Sequence, residues 1–252
     1  MEVEVTLEMQ SQAALGEGPF WHPGSKRLYW LDIEGKRFHV YDPIAKTNCN
    51  CDTTLMIGAA TLTRRGGFVV AAEGGFYQYD PLTGNMSLIV AIADLPAGYR
   101  LNDGKCDPAG RFWAGTVGPE AKGALYCLDT DLALRKAVPN VTVSNGLAWS
   151  ADKDRMYYID SATQSVVVYT YDNVTSTVSE KARIIDVPKS MGIPDGMTMD
   201  AEGMLWIALW GGKAITRWNP QTGELIGHHD VPALNVTSCA FGGEDLDTLY
   251  VT

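Results

Sequence analysis

The sequence predicts an all-β fold, a six-bladed β-propeller, from three observations. The first is a repeat: segments that open on a small or polar residue and run through a turn into an aromatic strand recur every ~42 to 50 residues. The second is the composition of the strand-like runs, which are rich in aromatic and β-branched residues and are bounded by Gly, Pro, Asp and Asn. The third is the lack of any amphipathic helix of useful length. A large β-sandwich would explain the turns but not the long period.

The six units follow one another along the chain in a constant order of elements. They begin near Glu17, Ala59, Asp103, Asn145, Asp195 and Ser238. In most units an apolar stretch and a turn precede a strand, which we place at 28–33, 111–116, 156–160, 205–209 and 249–251. Later strands, such as 75–80 and 166–172, alternate between apolar and polar residues and end in turn residues. Four strands per unit would form one propeller blade.

The sixth unit is shorter than the others. It opens at Thr237 and stops at Thr252 after two strands. The alternating N-terminal segment 2–7 is a candidate for one closing strand, which would still leave the blade one strand short. Because an unpaired edge strand invites aggregation, we expect further strands encoded beyond Thr252 or another segment that covers this edge. The chain, residues 1–252, is otherwise expected to form a single propeller domain.

Composition excludes several classes of function. The formal net charge is −10 and no Lys or Arg residues cluster, which argues against nucleic acid or an anionic membrane as a partner. No apolar run reaches the ~18 residues of a spanning helix, and the N-terminus lacks the basic and apolar regions of a signal peptide. We therefore expect a cytoplasmic location. Five cysteines without a C-x-x-C pair argue against a disulfide framework or a structural zinc site.

Three side chains that can bind a metal stand at matching places in three units, each followed by glycine. They are Glu17, Asn145 and Asp195. In a propeller the innermost strands start at the rim of the central channel, so residues just before them should converge. Two carboxylates and one amide oxygen are hard ligands, suited to Ca²⁺, Mg²⁺ or Mn²⁺ and tolerable to Zn²⁺. Such dipeptides also form ordinary turns, but three in register favour one divalent metal site.

A second polar cluster opens the third unit. It contains Arg100, Asn102 and Asp103. On the same geometry Asn102 and Asp103 face the mouth of the channel, and Arg100 can reach in with fork-like donors for a hydroxyl or a carboxylate. A buried arginine that ties loops together is the alternative interpretation, and the spacing alone does not separate the two.

Six motifs taken together resemble the senescence-marker-protein/regucalcin/gluconolactonase family. They are LGEGPFW at 15–21, RLNDGKCDPAGR at 100–111, VSNGLAWS at 143–150, YYIDS at 157–161, IPDGMTMD at 193–200 and LWIALWGG at 205–212. The likeness covers nearly the whole chain and is specific as a set. It implies a six-bladed propeller with one catalytic divalent metal that hydrolyses sugar lactones.

The resemblance also implies roles for single residues. The implied metal ligands are Glu17, Asn145 and Asp195, and the implied substrate contacts are Arg100, Asn102 and Glu120. Asp195 is in addition the implied general base. Two departures from the family pattern matter. The loop 118–123 is shorter than in animal members, which puts the role of Glu120 in doubt, and the family normally continues past the position of Thr252.

The reaction expected from this set is the opening of a sugar lactone by water. The metal would polarise the carbonyl, Asp195 would take the proton, and Arg100 and Asn102 would hold the sugar hydroxyls. Two alternatives remain, a phosphotriesterase-type hydrolase on the same metal and a calcium-binding regulatory protein without turnover. A nucleophilic serine is disfavoured because no Gly-x-Ser-x-Gly elbow exists. His22 is expected to be a turn residue, and Trp210 is a candidate for the pocket wall.

Overall fold

The computed structural model describes residues 3–252 and confirms the predicted all-β propeller. Over these residues the chain forms five four-stranded antiparallel sheets and one two-stranded sheet. Each sheet is one blade, and the strands within a blade pair with their neighbours in chain order. The strands placed from the sequence begin and end within one residue of the observed ones.

The strands of the six blades have the following bounds. Blade 1 contains β1 (Gly16–His22), β2 (Arg27–Asp32), β3 (Arg37–Asp42) and β4 (Thr47–Asp52). Blade 2 contains β5 (Ile57–Leu62), β6 (Phe68–Ala72), β7 (Gly75–Asp80) and β8 (Asn85–Ala91). Blade 3 contains β9 (Arg100–Cys106), β10 (Phe112–Val117), β11 (Gly123–Leu128) and β12 (Leu134–Val141). Blade 4 contains β13 (Ser144–Trp149), β14 (Arg155–Asp160), β15 (Ser165–Asp172) and β16 (Thr177–Asp186). Blade 5 contains β17 (Ile193–Met199), β18 (Leu205–Trp210), β19 (Ala214–Trp218) and β20 (Leu225–Asp230), and blade 6 contains β21 (Cys239–Gly242) and β22 (Thr248–Val251).

The first strand of each blade lies innermost. The strands β1, β5, β9, β13, β17 and β21 each contact the first strand of the next blade, and β21 contacts β1. These six strands therefore surround a central channel. Two short 3₁₀ turns, Ser161–Thr163 and Lys189–Met191, lie in the connections around β14 to β17 at one end of that channel.

The hydrophobic core of the described residues is divided among the gaps between adjacent blades. Between blades 4 and 5, for example, Ile159 and Val166 pack with Leu205 and Ile207. Equivalent clusters fill the other gaps, including the one between blade 1 and blade 6. Each blade is therefore covered on both faces by its neighbours, and the inner strands are held in fixed positions around the channel.

A turn of the form Asp-x-x-Gly-x-x-Trp follows the first strand in blades 3 and 5. The carboxylate of Asp107 accepts hydrogen bonds from turn amides and, at 3.0 Å, from the indole nitrogen of Trp113. Asp200 accepts the same bonds, with the indole nitrogen of Trp206 at 2.9 Å. One aspartate thus satisfies the amides of the turn and orients a tryptophan of the core. Both tryptophans are buried core residues.

The ring closes through contacts between blade 1 and blade 6. The hydroxyl of Thr237 donates to the carbonyl of Gly16 at 2.6 Å. The rings of Trp21 and Tyr250 stack with their centroids 5.9 Å apart. Closure over the described residues therefore uses side chains and packing between the first and last blades.

Residues 3–7 do not form the closing strand that their alternation suggested, so that prediction is wrong for this part of the segment, and Glu2 lies outside the described residues. The carboxylate of Glu8 accepts a hydrogen bond from the hydroxyl of Tyr41 and pairs with Lys46. These contacts hold the segment against blade 1, where Met9 and Ala13 pack on the cluster that contains Trp30 and Tyr41. Leu7 is 70% exposed, so no sheet covers it.

Two further predictions concern features that the sequence appeared to lack. Across residues 3–252 no helix combines the length and the hydropathy needed to cross a membrane. In the same stretch all five cysteines are free, with Cys127 and Cys239 buried. No disulfide bond therefore joins cysteines within residues 3–252.

Candidate metal and substrate site

The predicted site residues lie where the inner strands carry a β-bulge. The pairing between first and second strands shifts register at Asn145-Gly146 in blade 4 and at Asp195-Gly196 in blade 5. A shift begins directly after Glu17 in blade 1, and blades 2 and 3 have theirs at Gly58 and at Asn102-Asp103. A bulge bends the strand and redirects a side chain out of the ladder. The residues thus lie inside the inner strands, not just before them as the sequence suggested.

The glycine after each predicted ligand serves one of two needs. Gly18 has a φ of 53°, a left-handed conformation that favours glycine. A Cβ atom on Gly146 would lie 2.5 Å from the Cβ of Met197 in the next blade. A Cβ atom on Gly196 would lie 2.3 Å from the hydroxyl oxygen of Ser238. Blade 1 therefore needs a special turn, whereas blades 4 and 5 need room for the neighbouring strand.

One cavity of about 520 Å³ brings most of the predicted residues together. Its wall includes Glu17, Arg100, Asn102, Asn145 and Asp195. Trp210, Leu15 and Ile193 form part of its apolar wall, and the prediction that Trp210 lines the pocket is confirmed. The volume lies within the range of about 300–1,000 Å³ that small-molecule sites occupy.

Three polar residues in the same wall were not predicted from the sequence. They are Ser161, Gln164 and Lys189. Ser161 belongs to the quoted motif YYIDS, so its presence near Asn145 could have been suspected from that motif. Gln164 and Lys189 stand in connections between strands, where no repeated pattern marks them.

Two predicted residues lie elsewhere. Asp103 is buried beside the site without being part of the cavity wall, and its carboxylate accepts a hydrogen bond from the amide of Gly104 at 2.7 Å. Glu120 is exposed, does not line the cavity, and pairs with Lys122 at 2.7 Å. Its backbone is instead held by the hydroxyl of Tyr99. A role for Glu120 in binding substrate stays a prediction.

The two carboxylates of the cavity are buried and close to further negative charge. Glu17 is 4% exposed and Asp195 is 5% exposed. Burial, together with the carboxylate of Asp103, raises the pKa of Glu17 to about 8, although the Gly18 amide and Arg100 act in the opposite direction. Burial and the nearby carboxylates of Glu17 and Asp103 likewise raise the pKa of Asp195 well above its usual range. Ionisation of both carboxyl groups is therefore unfavourable unless a cation lies beside them.

A directed chain of hydrogen bonds fixes the amide of Asn145. Arg100 Nη1 donates to Asn102 Oδ1 at 2.7 Å, and Asn102 Nδ2 donates to Asn145 Oδ1 at 2.9 Å. Asn145 Nδ2 donates to Ser161 Oγ at 2.8 Å. The hydroxyl of Ser161 then donates to the carbonyl oxygen of Pro194 at 2.6 Å. The chain runs from the guanidinium to the residue just before Asp195.

The donor set fits a divalent cation. Within residues 3–252 no three His, Cys, Asp or Glu side chains are grouped closely enough to hold a metal, so a site here needs the amide oxygen of Asn145. Asp195 Oδ1 is buried and has no hydrogen-bond partner among the described residues. A buried anionic oxygen without a partner is unfavourable. Carboxylate and amide oxygens are hard ligands, which suit Ca²⁺, Mg²⁺ or Mn²⁺.

His22 is the last residue of β1, directly before the turn to β2, and not a residue of that turn as predicted. Its Nδ1 atom is 2.8 Å from the hydroxyl oxygen of Ser25, and it does not line the cavity. Among the described residues, therefore, the cavity wall contains no histidine. The candidate bases in this wall are therefore its carboxylates, Glu17 and Asp195, and the amine of Lys189.

Comparison with known proteins places the fold and the motifs in one family. The family profile described as SMP-30/Gluconolactonase/LRE-like region matches residues 15–252. Pentonolactonase XacC of Haloferax volcanii is 39% identical over 250 residues, which cover 98% of this chain and 84% of the relative. Regucalcin of Danio rerio is 34% identical over 255 residues, which cover 99% of this chain and 86% of the relative.

A solved structure supports the same conclusion. The crystal structure of a calcium-binding protein, regucalcin, from Agrobacterium tumefaciens superposes with a TM-score of 0.89 at 28% identity. The match covers 95% of this chain and 82% of that chain. The blades, the motifs and the near full-length matches agree, and the chain belongs to the SMP-30/gluconolactonase/LRE-like family.

Proposed function

We propose that this protein is a metal-dependent hydrolase that opens a sugar lactone. The observation that carries the proposal is the placement of two buried carboxylates, Glu17 and Asp195, with the amide of Asn145 in the wall of one cavity. Such a pair is unfavourable without a neutralising partner. Arg100 offsets part of the charge, and a divalent cation would offset the rest.

The substrate class is supported by the relatives and by the cavity. A relative with 39% identity over nearly the whole chain is named a pentonolactonase, and the family description includes gluconolactonase. A cavity of about 520 Å³ has room for a monosaccharide lactone. Its lining combines polar groups with Trp210 and aliphatic side chains, which offer an apolar surface to the carbon face of a sugar ring.

The proposed mechanism uses three of the wall residues as metal ligands and one of them, Asp195, also as the base. A divalent cation held by Glu17, Asn145 and Asp195 would polarise the lactone carbonyl and offset the charge that develops on its oxygen. Asp195 Oδ1, which has no partner among the described residues, takes a proton from the attacking water. The proton then passes to the ring oxygen that leaves, and an aldonic acid is released.

Arg100 and Asn102 position the sugar. Both hydrogens of Arg100 Nη1 are directed at Leu101 O and Asn102 Oδ1, so Nη2 and Nε are the donors left for substrate hydroxyls. Both hydrogens of Asn102 Nδ2 are used on Ser144 O and Asn145 Oδ1. Asn102 can therefore only accept from a substrate hydroxyl, through its Oδ1.

A lactone panel tests the proposal. Purified protein is stripped with EDTA, supplied with Ca²⁺, Mg²⁺, Mn²⁺ or Zn²⁺, and assayed for acid release from aldono- and pentonolactones. We expect hydrolysis of at least one sugar lactone that stops on chelation and returns with metal. Full activity after chelation, or no lactone hydrolysed with any metal, would contradict the proposal.

The two alternatives give different results in the same assay. A phosphotriesterase-type hydrolase would turn over a phosphotriester faster than any lactone. A calcium-binding regulatory protein would bind Ca²⁺ in calorimetry without hydrolysing either substrate, and the solved relative described as a calcium-binding protein is the observation in favour of this second candidate. The donors that Arg100 turns into the cavity are not needed for a calcium buffer, which favours the enzyme.

A further inference from the structure

The orientation of the Asn145 amide decides which of its atoms can face a cation. An amide presents oxygen on one side and N–H donors on the other, and only the oxygen can bind a metal. A rotation of the side chain by half a turn would direct two donors at the cation instead. The groups that contact both ends of this amide therefore bear directly on the proposed metal site.

The contacts of Ser161 allow one orientation only. Its hydroxyl has a single hydrogen, which is directed at the carbonyl oxygen of Pro194 at 2.6 Å. Proline has no N–H, and this carbonyl can only accept. Toward Asn145, at 2.8 Å, the hydroxyl oxygen of Ser161 must therefore accept, so the NH₂ end of the Asn145 amide faces it.

The hydrogen bonds at the opposite end of the chain, from Arg100, require the same orientation of the Asn145 amide. Arg100 only donates, so Asn102 turns its Oδ1 toward Arg100 and its NH₂ toward Asn145. The Oδ1 of Asn145 then accepts from Asn102 at 2.9 Å and keeps a second lone pair. An obligate donor at one end and an obligate acceptor at the other fix every group between them.

Ser161 is also held firmly itself. Its side chain is buried with 5% exposure, and its amide donates to the carbonyl of Val143 at 2.9 Å. It begins the 3₁₀ turn Ser161–Thr163, and the preceding Asp160 caps that turn. The hydroxyl of Ser161 thus connects a residue of blade 4 with the backbone just before Asp195 in blade 5.

We propose that Ser161 is a positioning residue, whose hydroxyl keeps the Asn145 oxygen directed at the metal. This inference rests on the proposed metal role of Asn145 and adds a residue that has no direct contact with the cation. Removing a group that orients a ligand typically lowers metal affinity by about 10- to 100-fold. Without the Ser161 hydroxyl the NH₂ group of Asn145 loses its acceptor, and Asn102 alone holds the orientation of the amide, so an orientation with the nitrogen toward the site is less strongly disfavoured.

The test is calorimetric titration of the full chain with Mn²⁺ and Ca²⁺, which needs no substrate. Ser161→Ala should bind about 10-fold or more weakly, and Ser161→Thr, which keeps a hydroxyl, should recover most of the loss. Tyr158→Phe is the matched control, because it removes a buried hydroxyl bonded to Ser144 in the same blade and leaves the chain of hydrogen bonds intact. Circular dichroism tests whether each variant is folded. If Ser161→Ala is not folded, Ser161→Cys is measured in its place.

Measuring Ser161→Ala in the Asn145→Asp protein separates an effect on the orientation of the ligand from a general disturbance of the site. In Asn145→Asp the ligand has oxygen on both sides, so its orientation no longer matters. There Ser161→Ala should change metal affinity by less than about threefold, because no wrong orientation exists to be prevented. An equal loss in both backgrounds, or wild-type affinity in Ser161→Ala, would overturn the inference. If the wild-type protein binds neither metal, the proposed metal site fails, which is a distinct result.

Discussion

Asp32 and Asp160 hold equivalent loops in blades 1 and 4. Asp32, the last residue of β2, accepts hydrogen bonds from the amides of residues 14 and 15 at 3.2 and 2.9 Å. Asp160, the last residue of β14, accepts from the amides of residues 142 and 143 at 3.0 and 2.9 Å. Glu17 and Asn145 lie just beyond these two held segments. Each aspartate therefore fixes where an inner strand begins and where its site residue lies.

Replacing Asp160 by alanine should destabilise the protein and disturb the site together. Two backbone amides lose their acceptor, and unpaired donors of this kind cost about 1–3 kcal/mol each when they are shielded from water. We expect the free energy of unfolding in urea to fall by about 2 kcal/mol or more. Asp160→Asn keeps one oxygen and should lose less, and Asp32→Ala is the matched change in blade 1. Wild-type stability in both alanine variants would contradict this role.

Divalent metal should stabilise the protein against heat. A ligand that binds only the folded state at 100 times its Kd adds about 2.7 kcal/mol to the free energy of unfolding. We expect Mn²⁺ or Ca²⁺ to raise Tm by several degrees, and EDTA to reverse the rise. Glu17→Gln and Asp195→Asn should reduce this shift strongly, whereas Glu244→Gln, at an exposed carboxylate paired with Lys26, should keep it. A shift that survives in both site variants would place the metal elsewhere.

Changes at Asp195 and at Arg100 should separate chemistry from binding. Asp195→Asn keeps an oxygen but removes a charge and a basic lone pair, so turnover should fall by roughly 10²-fold even at saturating metal. Arg100→Ala removes donors for the sugar and should change KM or kcat while metal affinity stays near the wild-type value. Lactone kinetics beside calorimetric metal binding measures both effects. Wild-type turnover by Asp195→Asn would mean that another group is the base.

Asp107 should make the fold sensitive to acid. Burial alone would raise the pKa of Asp107, but hydrogen bonds from Tyr171 and Trp113 and the charge of Arg111 lower it on balance below the ordinary value of 3.8. A lowered pKa means that the stabilisation is complete above about pH 4 and is lost as the pH falls through the folded-state value. The difference in unfolding free energy between wild type and Asp107→Asn should be constant at neutral pH and shrink below about pH 4. A difference that is the same at all pH values would refute this assignment.

Gly146→Ala should be poorly tolerated because of blade 5. The added carbon would lie 2.5 Å from the Cβ of Met197 and 2.9 Å from the carbonyl oxygen of Asp195. Because both neighbours belong to an inner strand, relief requires a backbone shift, which costs about 1–3 kcal/mol. Gly24→Ala is the control, since its added carbon meets only the side chain of His22, at 3.2 Å. Equal melting temperatures for the two variants would show that the close approach is easily relaxed.

The repeat allowed the fold to be predicted, whereas the local detail of the site could not be. Aromatic strands at a constant period placed β2, β10, β14 and β18 almost correctly, because each blade repeats the same burial pattern. The segment 3–7 also alternates, but alternation alone does not select a partner strand, and the bonds of Glu8 to Tyr41 and Lys46 decide its course. Long-range contacts of this kind leave no local pattern.

The convergence of Glu17, Asn145 and Asp195 followed from their equivalent positions in three blades. The network around them did not, because Ser161 reaches Asn145 from a loop and its acceptor is a backbone carbonyl, a partner that every residue type offers. The placement of Glu120 depends on the connection 118–122 between β10 and β11, which is longer than the equivalent connections in the other blades. Residues on regular strands were thus predictable, and residues that depend on connections were not.

In blades 1 to 5 the β-bulge of the inner strand separates the residues that pair in the ladder from the side chain that the bulge redirects out of it. On either side of the bulge the ladder is paired normally, so a side chain there can be exchanged while the blade keeps its register. Blade 2 is the exception, because a Cβ atom on Gly58 would lie 2.5 Å from the backbone oxygen of Asn102. Anyone who redesigns this pocket for another metal or another sugar therefore has interchangeable positions in blades 1, 3, 4 and 5. Blade 2 must keep glycine at position 58, because the backbone of blade 3 packs directly against it.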